Sequence, residues 1–465
     1  MKMLITKNDR INNGFVQIKF NQKISESRFV VGKNGEEILE IKLQVKEKIS
    51  RRQLVILARQ IVFFAKKNSI KKIALNFKDI LDLKANLSES EIGEILAVNF
   101  EMANYEFVKY KTKPEEGWKF IEEIRIIFSG KDNNLSASIK KGQLIGEETN
   151  ALRELVNTPG GDMTPNLLAK DIKQAIKGTK IKIKVLDEPE MKKLGMGAIL
   201  GVAKGSLEKP KFIILEYVGK QEENPIVLVG KAITFDTGGL NLKPDNSMSD
   251  MHMDMSGGAA VAYAVITAAK LGLKKRLIGI IPAAENSLSG ESYRPGDVLK
   301  SMSGKTIEVL NTDAEGRIIL ADALTYAERY NPRLVVDVAT LTGASMIALG
   351  ERASAIFSKN EKLIELVRET GEASGDYVWP LPLWDEYEAD IKGINGDWAN
   401  IKSQGNSRLG GATMGAMFLY QFSKNFKEWV HIDIAPKMTA VNDEFLSKGA
   451  AGTPLRLLIK LIEKY

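Results

Sequence analysis

Pro225-Ile-Val-Leu-Val-Gly230 is a short, continuous apolar run of the kind that lies buried on both faces of a central sheet. Residues 257–270 and 318–330 have the length and apolar periodicity of helices. Strands that alternate with helices predict an α/β fold, in which helices flank a central sheet. Four further segments share the apolar character of the first run, namely residues 276–282, 306–310, 334–339 and 430–434.

The part of the chain before residue 150 shows its own alternation of strands and helices. A cluster of helix-breaking residues, Asn157-Thr-Pro-Gly-Gly161, separates it from the alternation that follows. Because 465 residues exceed the usual size of one hydrophobic core, we predict two domains, residues 1–150 and residues 151–465. In the first, predicted strands cover residues 15–20, 38–45, 71–76 and 121–128, and predicted helices cover residues 50–67 and 88–105.

The net charge of +7 comes from the first predicted domain. Residues 1–150 hold 27 Lys and Arg against 20 Asp and Glu, whereas residues 151–465 hold 39 of each. This asymmetry supports the boundary and allows a basic surface to which nucleic acid could bind. A lysine-rich solvated exterior is the simpler explanation, because no basic cluster is interleaved with aromatic residues as in a nucleic-acid groove.

The chain has no cysteine and only two histidines, His252 and His431. The lack of cysteine excludes disulfides, thiol nucleophiles and cysteine-based metal sites. A metal site must therefore use mainly oxygen ligands, and a His-x-x-x-His zinc helix is impossible. No Gly-x-Ser-x-Gly segment accompanies the histidines, which argues against a serine hydrolase. We expect His252 to lie in a loop or behind a ligand, and His431 to be a core residue of a strand.

Targeting signals are not evident in the sequence. Charged residues and asparagine interrupt the first residues, MKMLITKNDRINNG, so they contain no apolar core of a secretory signal. The longest apolar stretch, residues 257–269, is too short to span a bilayer. We therefore expect a cytoplasmic protein without a membrane partner.

Charged side chains follow several of the predicted strands, at the edge where open α/β sheets place their sites. Lys231 follows the strand that ends at residue 230, and Asp236 comes five residues later. Asp254 precedes a predicted helix, and Asn311-Thr-Asp-Ala-Glu-Gly-Arg317 lies between a strand and a helix. Thr340-Leu-Thr-Gly343 follows the strand that ends at residue 339.

Alternate residues of an extended segment point to the same side, so Asp313, Glu315 and Arg317 can face one cavity. Carboxylates that lie so close repel one another unless a cation neutralises them. The four carboxylates of this region suit two divalent metals that share bridging oxygens, and they are those of Asp236, Asp254, Asp313 and Glu315.

Each of these residues also has an ordinary structural explanation. Asp313 and Asp254 can cap the helices that follow them. Glu315 can interact with the dipole of its helix, and Lys231 can be a solvated surface lysine. The spacing alone leaves the metal site and these explanations about equally open.

The segment from Asn311 to Arg317 resembles the signature of the leucyl aminopeptidase family, the M17 metallopeptidases that include cytosol aminopeptidase and bacterial aminopeptidase A. The resemblance covers residues 150–465, whereas residues 1–150 match only in the expected order of domains. Further motifs agree in register, namely Val229-Gly-Lys-Ala-Ile-Thr-Phe-Asp-Thr-Gly-Gly239, Leu242-Lys-Pro244, Asp254-Met255, Asp337-Val-Ala-Thr-Leu-Thr-Gly-Ala344, Ser407-Arg-Leu-Gly-Gly411 and His431-Ile-Asp-Ile-Ala435.

The resemblance implies a role for each metal-ligating residue. One metal would be held by Asp236, Asp313 and Glu315. The other would be held by Lys231, Asp236, Asp254 and Glu315, so that Asp236 and Glu315 bridge the two ions. A lysine can bind a metal only as the neutral amine, so the metal must lower the pKa of Lys231.

Catalytic and substrate-binding roles are implied in the same way. Lys243 would polarise the scissile carbonyl, and Arg317 would hold a bicarbonate that serves as general base. His252 and the turn Ser256-Gly257-Gly258 differ from the commonest family pattern, which puts the side-chain preference in doubt. The substrate would be positioned by Met251, Asn311, Thr340, Leu341 and Gly343.

The implied enzyme is a metal-dependent aminopeptidase that releases N-terminal residues, preferably leucine-like, from peptides. Two divalent ions, Mn²⁺ or Zn²⁺, would activate a bridging water. The implied fold has a smaller N-terminal α/β domain, which serves oligomerisation or access, and a larger catalytic α/β domain with a central mixed sheet flanked by helices. The implied assembly is a homo-hexamer.

Two other functions compete with this one. A phosphohydrolase could use the same acidic cluster, but Val229-Gly-Lys231 lacks the Gly-x-x-x-x-Gly-Lys-Ser/Thr spacing of a phosphate-binding loop. A DNA-binding architectural role, in addition to or instead of peptidase activity, is permitted by the basic excess of residues 1–150. A pseudoenzyme is disfavoured because every expected ligand position is filled.

Overall fold

The computed structural model describes the chain except for residues 8–13, 44–47, 132–133, 221–223 and 408. Contacts divide the chain into two compact units. Unit 1 comprises Met1–Ala151 with Ala440–Gly449, and unit 2 comprises Leu152–Thr439 with Ala450–Tyr465. Val45, at the end of a predicted strand, and Arg408, in one of the motifs, lie outside the described residues.

The first unit is a largely parallel sheet with helices, which is an α/β arrangement as its sequence predicts. Its elements are β1 (Lys2–Thr6), β2 (Val16–Asn21), β3 (Arg28–Val31), β4 (Glu37–Lys42), α1 (Arg51–Lys67), β5 (Lys72–Asn76), α2 (Phe77–Leu81), α3 (Glu89–Asn104), β6 (Glu123–Ile127) and the start of α4 (Leu135–Asn157). The described strands form one sheet, ordered β1-β6-β5-β2-β4-β3, in which only the β3–β4 pair is antiparallel. Ser50 and Ser88 open α1 and α3 with reciprocal capping bonds to Gln53 and Glu91.

Residues 440–449 belong to the first unit, although they lie within the predicted second domain, residues 151–465. The buried Arg59 of α1 donates to the carbonyl oxygen of Glu444 at 3.5 Å, and its guanidinium lies 3.9 Å from the Glu444 carboxylate. The Phe445 ring packs edge-on against an aromatic ring of α1 with centroids 5.3 Å apart. Leu446 packs against the core of the first unit. A late segment of the chain thus completes an early domain.

The second unit carries most of the described elements. They are α5 (Pro165–Ala175), β7 (Lys182–Leu186), α6 (Glu188–Lys193), α7 (Gly197–Val202), β8 (Lys211–Val218), β9 (Ile226–Gly230), β10 (Ala232–Asp236), α8 (Ser256–Lys270), β11 (Arg276–Asn286), β12 (Val298–Lys300), β13 (Thr306–Glu308), α9 (Glu315–Ala327), β14 (Leu334–Ala339), α10 (Gly343–Leu349), β15 (Ser354–Phe357), α11 (Glu361–Ser374), β16 (Val378–Pro380), β17 (Trp398–Ala399), α12 (Gly411–Tyr420), β18 (Trp429–Asp433) and α13 (Leu455–Lys464).

Strand β9 lies at the centre of a mixed sheet. The described strands of this sheet are ordered β16-β15-β18-β14-β9-β11-β8-β7, and β10 also pairs with β11. β9 is parallel to both of its neighbours, and all five of its residues are buried, as their unbroken apolar sequence predicts. The β11–β8 and β15–β18 pairs are antiparallel. The predicted fold class, with a central mixed sheet, is therefore confirmed.

One predicted strand of the central sheet lies elsewhere. Residues 306–310 were expected to join the buried sheet, but only Thr306–Glu308 is extended, as β13, and it pairs with β12 and β17 in a separate three-stranded sheet. Glu308 interrupts the apolar run, and its carboxylate accepts hydrogen bonds from the amides of Ile394 and Asn395 in a nearby loop. The small sheet ends where the acidic segment 311–315 begins.

Helices cover both faces of the central sheet. Successive residues of a strand point to opposite faces. Ile278 and Ile280 of β11 share a core cluster with α9, whereas a Cβ atom at Gly279 would meet Val261 and Val265 of α8. α8 and α9 therefore pack on opposite faces. Within the described part of the chain, no helix combines the length and the apolar character needed to cross a membrane.

Candidate metal centre

The carboxyl ends of the central strands bring the predicted site residues to one edge of the sheet. The amide of Lys231, just after β9, donates to the carbonyl oxygen of Val338 in β14 at 3.0 Å. Lys231 and Thr340 therefore leave adjacent parallel strands side by side. Asp236 is the last residue of β10, and Glu315 is the first residue of α9.

Helix α8 begins in direct contact with these strand ends. A Cβ atom at Gly257 would lie 2.2 Å from the carbonyl oxygen of Val338, and one at Gly230 would lie 2.5 Å from the carbonyl oxygen of Gly257. Only residues without a side chain allow this approach. It brings Asp254, which precedes the helix, against Lys231.

Lys231 joins two of the predicted ligands. Its Nζ lies 2.7 Å from Asp254 Oδ2 and 2.8 Å from Glu315 Oε1, and it donates to the carbonyl oxygen of Thr340 at 2.9 Å. Burial favours the neutral amine, but the charges of Asp254, Glu315 and Asp236 outweigh it and raise the pKa of Lys231. Metal ligation by this amine, which the resemblance implies, therefore requires the loss of a strongly held proton.

Lys243 joins the other two carboxylates. Its Nζ lies 2.7 Å from Asp236 Oδ2 and 2.5 Å from Asp313 Oδ1. The second oxygen of Asp236 accepts hydrogen bonds from Asn286 Nδ2 at 2.7 Å and from the amide of Gly238 at 2.9 Å. As with Lys231, burial opposes the charged form of Lys243, yet the surrounding carboxylates raise its pKa.

Burial also sets the protonation of the acidic residues. It raises the pKa of Asp254 to about 8, against the opposing charge of Lys231, and it raises the pKa of Asp313 to about 6. The pKa of Asp236 is raised by burial and by Glu315. Glu315 differs, because Lys231 and Lys243 outweigh burial and lower its pKa. Negative charge is thus crowded in this pocket and concentrated on Glu315.

These residues fit a cation centre. When all four carboxylates are ionised, they exceed the two ammonium groups by two negative charges. One oxygen from each of Asp236, Asp313 and Glu315 lies within 4.8 Å of the other two. Glu315 Oε2 is buried and lacks a hydrogen-bond partner among the described residues. Buried acceptor oxygens and surplus negative charge are what divalent cations neutralise.

Arg317 lies on the first turn of α9, beyond Glu315. It is 5% exposed, and its Nη1 donates to the carbonyl oxygen of Asn400 at 2.8 Å. Its Nε is buried without a hydrogen-bond partner among the described residues. Burial lowers the pKa of Arg317 to about 10, so the guanidinium stays charged at neutral pH. This charged, partly unpaired group suits an anion.

The predicted substrate-binding residues differ in how directly they contact the cluster of acidic residues. Thr340 belongs to it directly, since its hydroxyl donates to Asp254 Oδ1 at 2.5 Å. Asn311 Oδ1 accepts from the amide of Asp313 at 2.8 Å. Leu341 is partly buried, Gly343 begins α10 and is exposed, and Met251 begins a short 3-10 helix that packs against β10.

The two histidines take no part in the described acidic grouping. His431 is fully buried in β18, and its Nδ1 lies 2.5 Å from Asp337 Oδ1. Trp429 Nε1 donates to the other oxygen of Asp337 at 2.6 Å. His431 is a core residue, as predicted. His252 lies in the 3-10 helix Met251–Met253, where burial lowers its pKa.

Several buried polar residues at the site were not identified from the sequence. Asn286 links Asp236 to the carbonyl oxygen of Thr312, to which Tyr293 also donates at 2.7 Å. Asp433 accepts hydrogen bonds from the loop that follows Thr340. β11 ends at Asn286, whereas its predicted end was residue 282. A correct prediction of this strand end would have indicated Asn286 as a candidate site residue.

A model of the cytosol aminopeptidase family, catalytic domain, matches residues 150–459. The chain belongs to the cytosol aminopeptidase family. It is therefore a metal-dependent aminopeptidase, a hydrolase that acts on peptide bonds.

Relatives and solved structures extend over most of the chain. A probable cytosol aminopeptidase of Methylobacillus flagellatus is 42% identical over 367 residues, 78% of this chain and 72% of the relative. One of Nitrosococcus oceani is 41% identical over 390 residues, 82% of this chain and 76% of the relative. The bottromycin maturation enzyme BotP in complex with Mn is similar in structure, with a TM-score of 0.87 and 26% identity over 97% of this chain and 99% of that chain.

Proposed function

We propose that this aminopeptidase holds two divalent metal ions in its acidic pocket and releases N-terminal residues, preferably leucine-like, from peptides. One observation supports this proposal most directly. The carboxylates bridged by Lys231 and those bridged by Lys243 adjoin, since oxygens of Asp236, Asp313 and Glu315 lie within 4.8 Å of one another. One ion would be held by Asp236, Asp313 and Glu315, and the other by Lys231, Asp236, Asp254 and Glu315.

The metal ions supply Lewis acidity and lower the pKa of bound water. The ions would also supply recognition. A metal position can take the lone pair of a free, neutral α-amine, which the amide nitrogen inside a peptide does not offer. Recognition of this amine explains why cleavage is confined to the N-terminal residue.

Lys243 is proposed to polarise the scissile carbonyl. Its side chain is partly exposed, with 13% of its surface accessible, whereas that of Lys231 is 4% accessible. The carboxylates raise the pKa of Lys243, so its Nζ stays a cationic donor at neutral pH. A fixed cationic donor stabilises the negative charge that develops on the carbonyl oxygen.

Arg317 is proposed to hold a bicarbonate, which would serve as general base. The buried Nε without a described hydrogen-bond partner and the retained positive charge both support an anion at this position. Asn311, Thr340, Leu341, Gly343 and Met251 are proposed to position the substrate.

A panel of amino-acid amides tests this function. We expect hydrolysis of leucine amide, and of similar apolar amides, that is lost on chelation and restored by Mn²⁺ or Zn²⁺. N-acetylated leucine amide should resist cleavage, because acetylation removes the free amine. Hydrolysis of a phosphate ester in place of the amides would support a phosphohydrolase. Equal cleavage of the acetylated and free amides would contradict recognition of the amine.

Assembly and location are proposed from the family resemblance and from the names of the relatives. We propose a homo-hexamer, in which unit 1 serves oligomerisation or access, and a cytoplasmic location, as the names of the relatives suggest. Light scattering should give six times the subunit mass of 51.4 kDa. A DNA-binding role would stand only on the basic excess of residues 1–150, which a solvated lysine-rich surface also explains, so we do not propose it.

A further inference from the structure

Asn400 lies beside the acidic segment because of the small three-stranded sheet. β17 runs parallel to β13, with Glu308 opposite Ala399, and the amide of Asn400 extends the pairing by donating to the carbonyl oxygen of Glu308 at 3.0 Å. This register puts Asn400 next to Leu310, at the point where the segment leaves the sheet. Asn400 is fully buried.

The carboxamide of Asn400 is bonded entirely to the backbone of residues 310–314. Its Oδ1 accepts from the amides of Leu310 at 2.8 Å and Asn311 at 3.3 Å. Its Nδ2 donates to the carbonyl oxygens of Asn311 at 2.6 Å and Ala314 at 3.4 Å. A carboxamide has two donors and an oxygen with two acceptor sites. All of them are used on this one segment.

This segment needs such support. It lies between the end of β13 at Glu308 and the start of α9 at Glu315, so no strand or helix ladder fixes its backbone. Asp313 nevertheless reaches Lys243 at 2.5 Å, and Glu315 reaches Lys231 at 2.8 Å. A shift of the segment would move both carboxylates.

The backbone of Asn400 also contacts Arg317. Its carbonyl oxygen accepts the 2.8 Å hydrogen bond from Arg317 Nη1. One residue therefore holds the acidic segment through its side chain and the guanidinium through its main chain. A change of side chain separates the two contacts, because it leaves the carbonyl oxygen in place.

We propose that Asn400 is a positioning residue of the active site, which fixes residues 310–314 and thereby the placement of Asp313 and Glu315. It acts through these residues and not on the substrate. This inference rests on the proposed metal-dependent function. Outer partners of metal ligands of this kind change metal affinity or activity on the order of 10- to 100-fold when they are removed.

Asn400→Ala in the full chain tests the inference. Titration of the chelator-treated protein with Mn²⁺ should give an affinity lowered about 10- to 100-fold, and kcat for leucine amide should fall by a similar factor. KM should change much less, because the residue does not touch the substrate. A residue that only stabilised the small sheet would lower the melting temperature without weakening Mn²⁺ binding.

Asp397→Ala is the matched control. Asp397 Oδ2 accepts from the amide of Thr306 at 2.7 Å and from its hydroxyl at 2.9 Å, so it ties β13 to the chain before β17 at the opposite end from the acidic segment. This variant should keep the Mn²⁺ affinity and kcat of the unmodified chain. An equal loss of Mn²⁺ affinity in Asn400→Ala and Asp397→Ala would overturn the inference.

Asn400→Asp covers the case in which the alanine variant does not fold. It keeps the shape and the acceptor oxygen but turns a second oxygen toward the carbonyls of Asn311 and Ala314. We expect kcat to fall at least about tenfold; an unchanged kcat would overturn the inference. Absence of Mn²⁺ binding and of amide hydrolysis in the unmodified chain would instead refute the proposed function itself.

Discussion

Replacement of Gly316 by alanine should separate catalysis from stability. A Cβ atom at this position would lie 2.6 Å from Cδ and Cε of Lys231 and 2.8 Å from its Nζ. Carbon atoms in contact are normally about 3.5–4.0 Å apart. The lysine must therefore move by about 1 Å, although it is 3% exposed and held by Asp254, Glu315 and the carbonyl oxygen of Thr340.

The two effects of this change have different magnitudes. Overpacking of a buried site costs about 1–3 kcal/mol. Alanine regains about 1 kcal/mol over glycine within a helix. The free energy of unfolding should therefore fall by only about 0–2 kcal/mol. A displacement of about 1 Å in a catalytic group, in contrast, lowers the rate on the order of 100-fold, which is about 2.7 kcal/mol in the barrier.

Leucine amide hydrolysis and urea unfolding of Gly316→Ala measure the two quantities. Gly161→Ala is the control, because a Cβ atom there meets nothing within 4 Å and Gly161 does not need a positive φ. The control should match the unmodified chain in both assays. If Gly316→Ala also hydrolysed the amide at the rate of the unmodified chain, the position of Lys231 would be irrelevant to catalysis and its assignment as a ligand would be wrong.

Three further changes test other parts of the site and the fold. Asp313→Ala or Glu315→Ala should abolish hydrolysis and lower the metal content measured by mass spectrometry, with the circular dichroism spectrum retained; full metal content with normal turnover would end the ligand assignment. Lys243→Ala should keep its metal but lose about 10²–10³ in kcat, as for the loss of an oxyanion donor, and an unchanged kcat would remove that role. Burial raises the pKa of Asp322 from 3.8 to about 7, so the folded state keeps a proton that the unfolded state releases in this interval. Stability should fall as pH rises from about 4 to 7, by at most about 4 kcal/mol, and Asp322→Asn should lose this slope in urea titrations at several pH values.

Local patterns were enough to predict the central strands β9, β11, β14 and β18 and the helices α1, α3, α8 and α9. The apolar run at 226–230 gave a central buried strand, and Ser50 marked the start of α1. The prediction that residues 306–310 join the central sheet was wrong, because apolar character does not specify which strand a segment pairs with. Glu308 contacts a loop more than eighty residues later, and a short sequence window contains no trace of that contact.

The candidate site could be predicted only in part for the same reason. Charged residues after strand ends indicated Lys231, Asp236 and the segment around Asp313, because strand ends meet at one edge of a sheet. Which lysine meets which carboxylate depends on the close approach of α8 to the strands. The support from Asn400 depends on the register of a two-residue strand. Neither follows from residue spacing.

The return of residues 440–449 to the first unit has a consequence for biosynthesis. Synthesis proceeds at about 5–20 residues per second, so this segment leaves the ribosome roughly 15 to 60 seconds after residue 151. Until then Arg59 lacks its Glu444 partner, and the surface of α1 that later meets Phe445 stays uncovered. Residues 1–151 therefore lack the contacts of residues 440–449 while the catalytic unit is being translated. A fragment that stops at residue 151 would lack these contacts permanently.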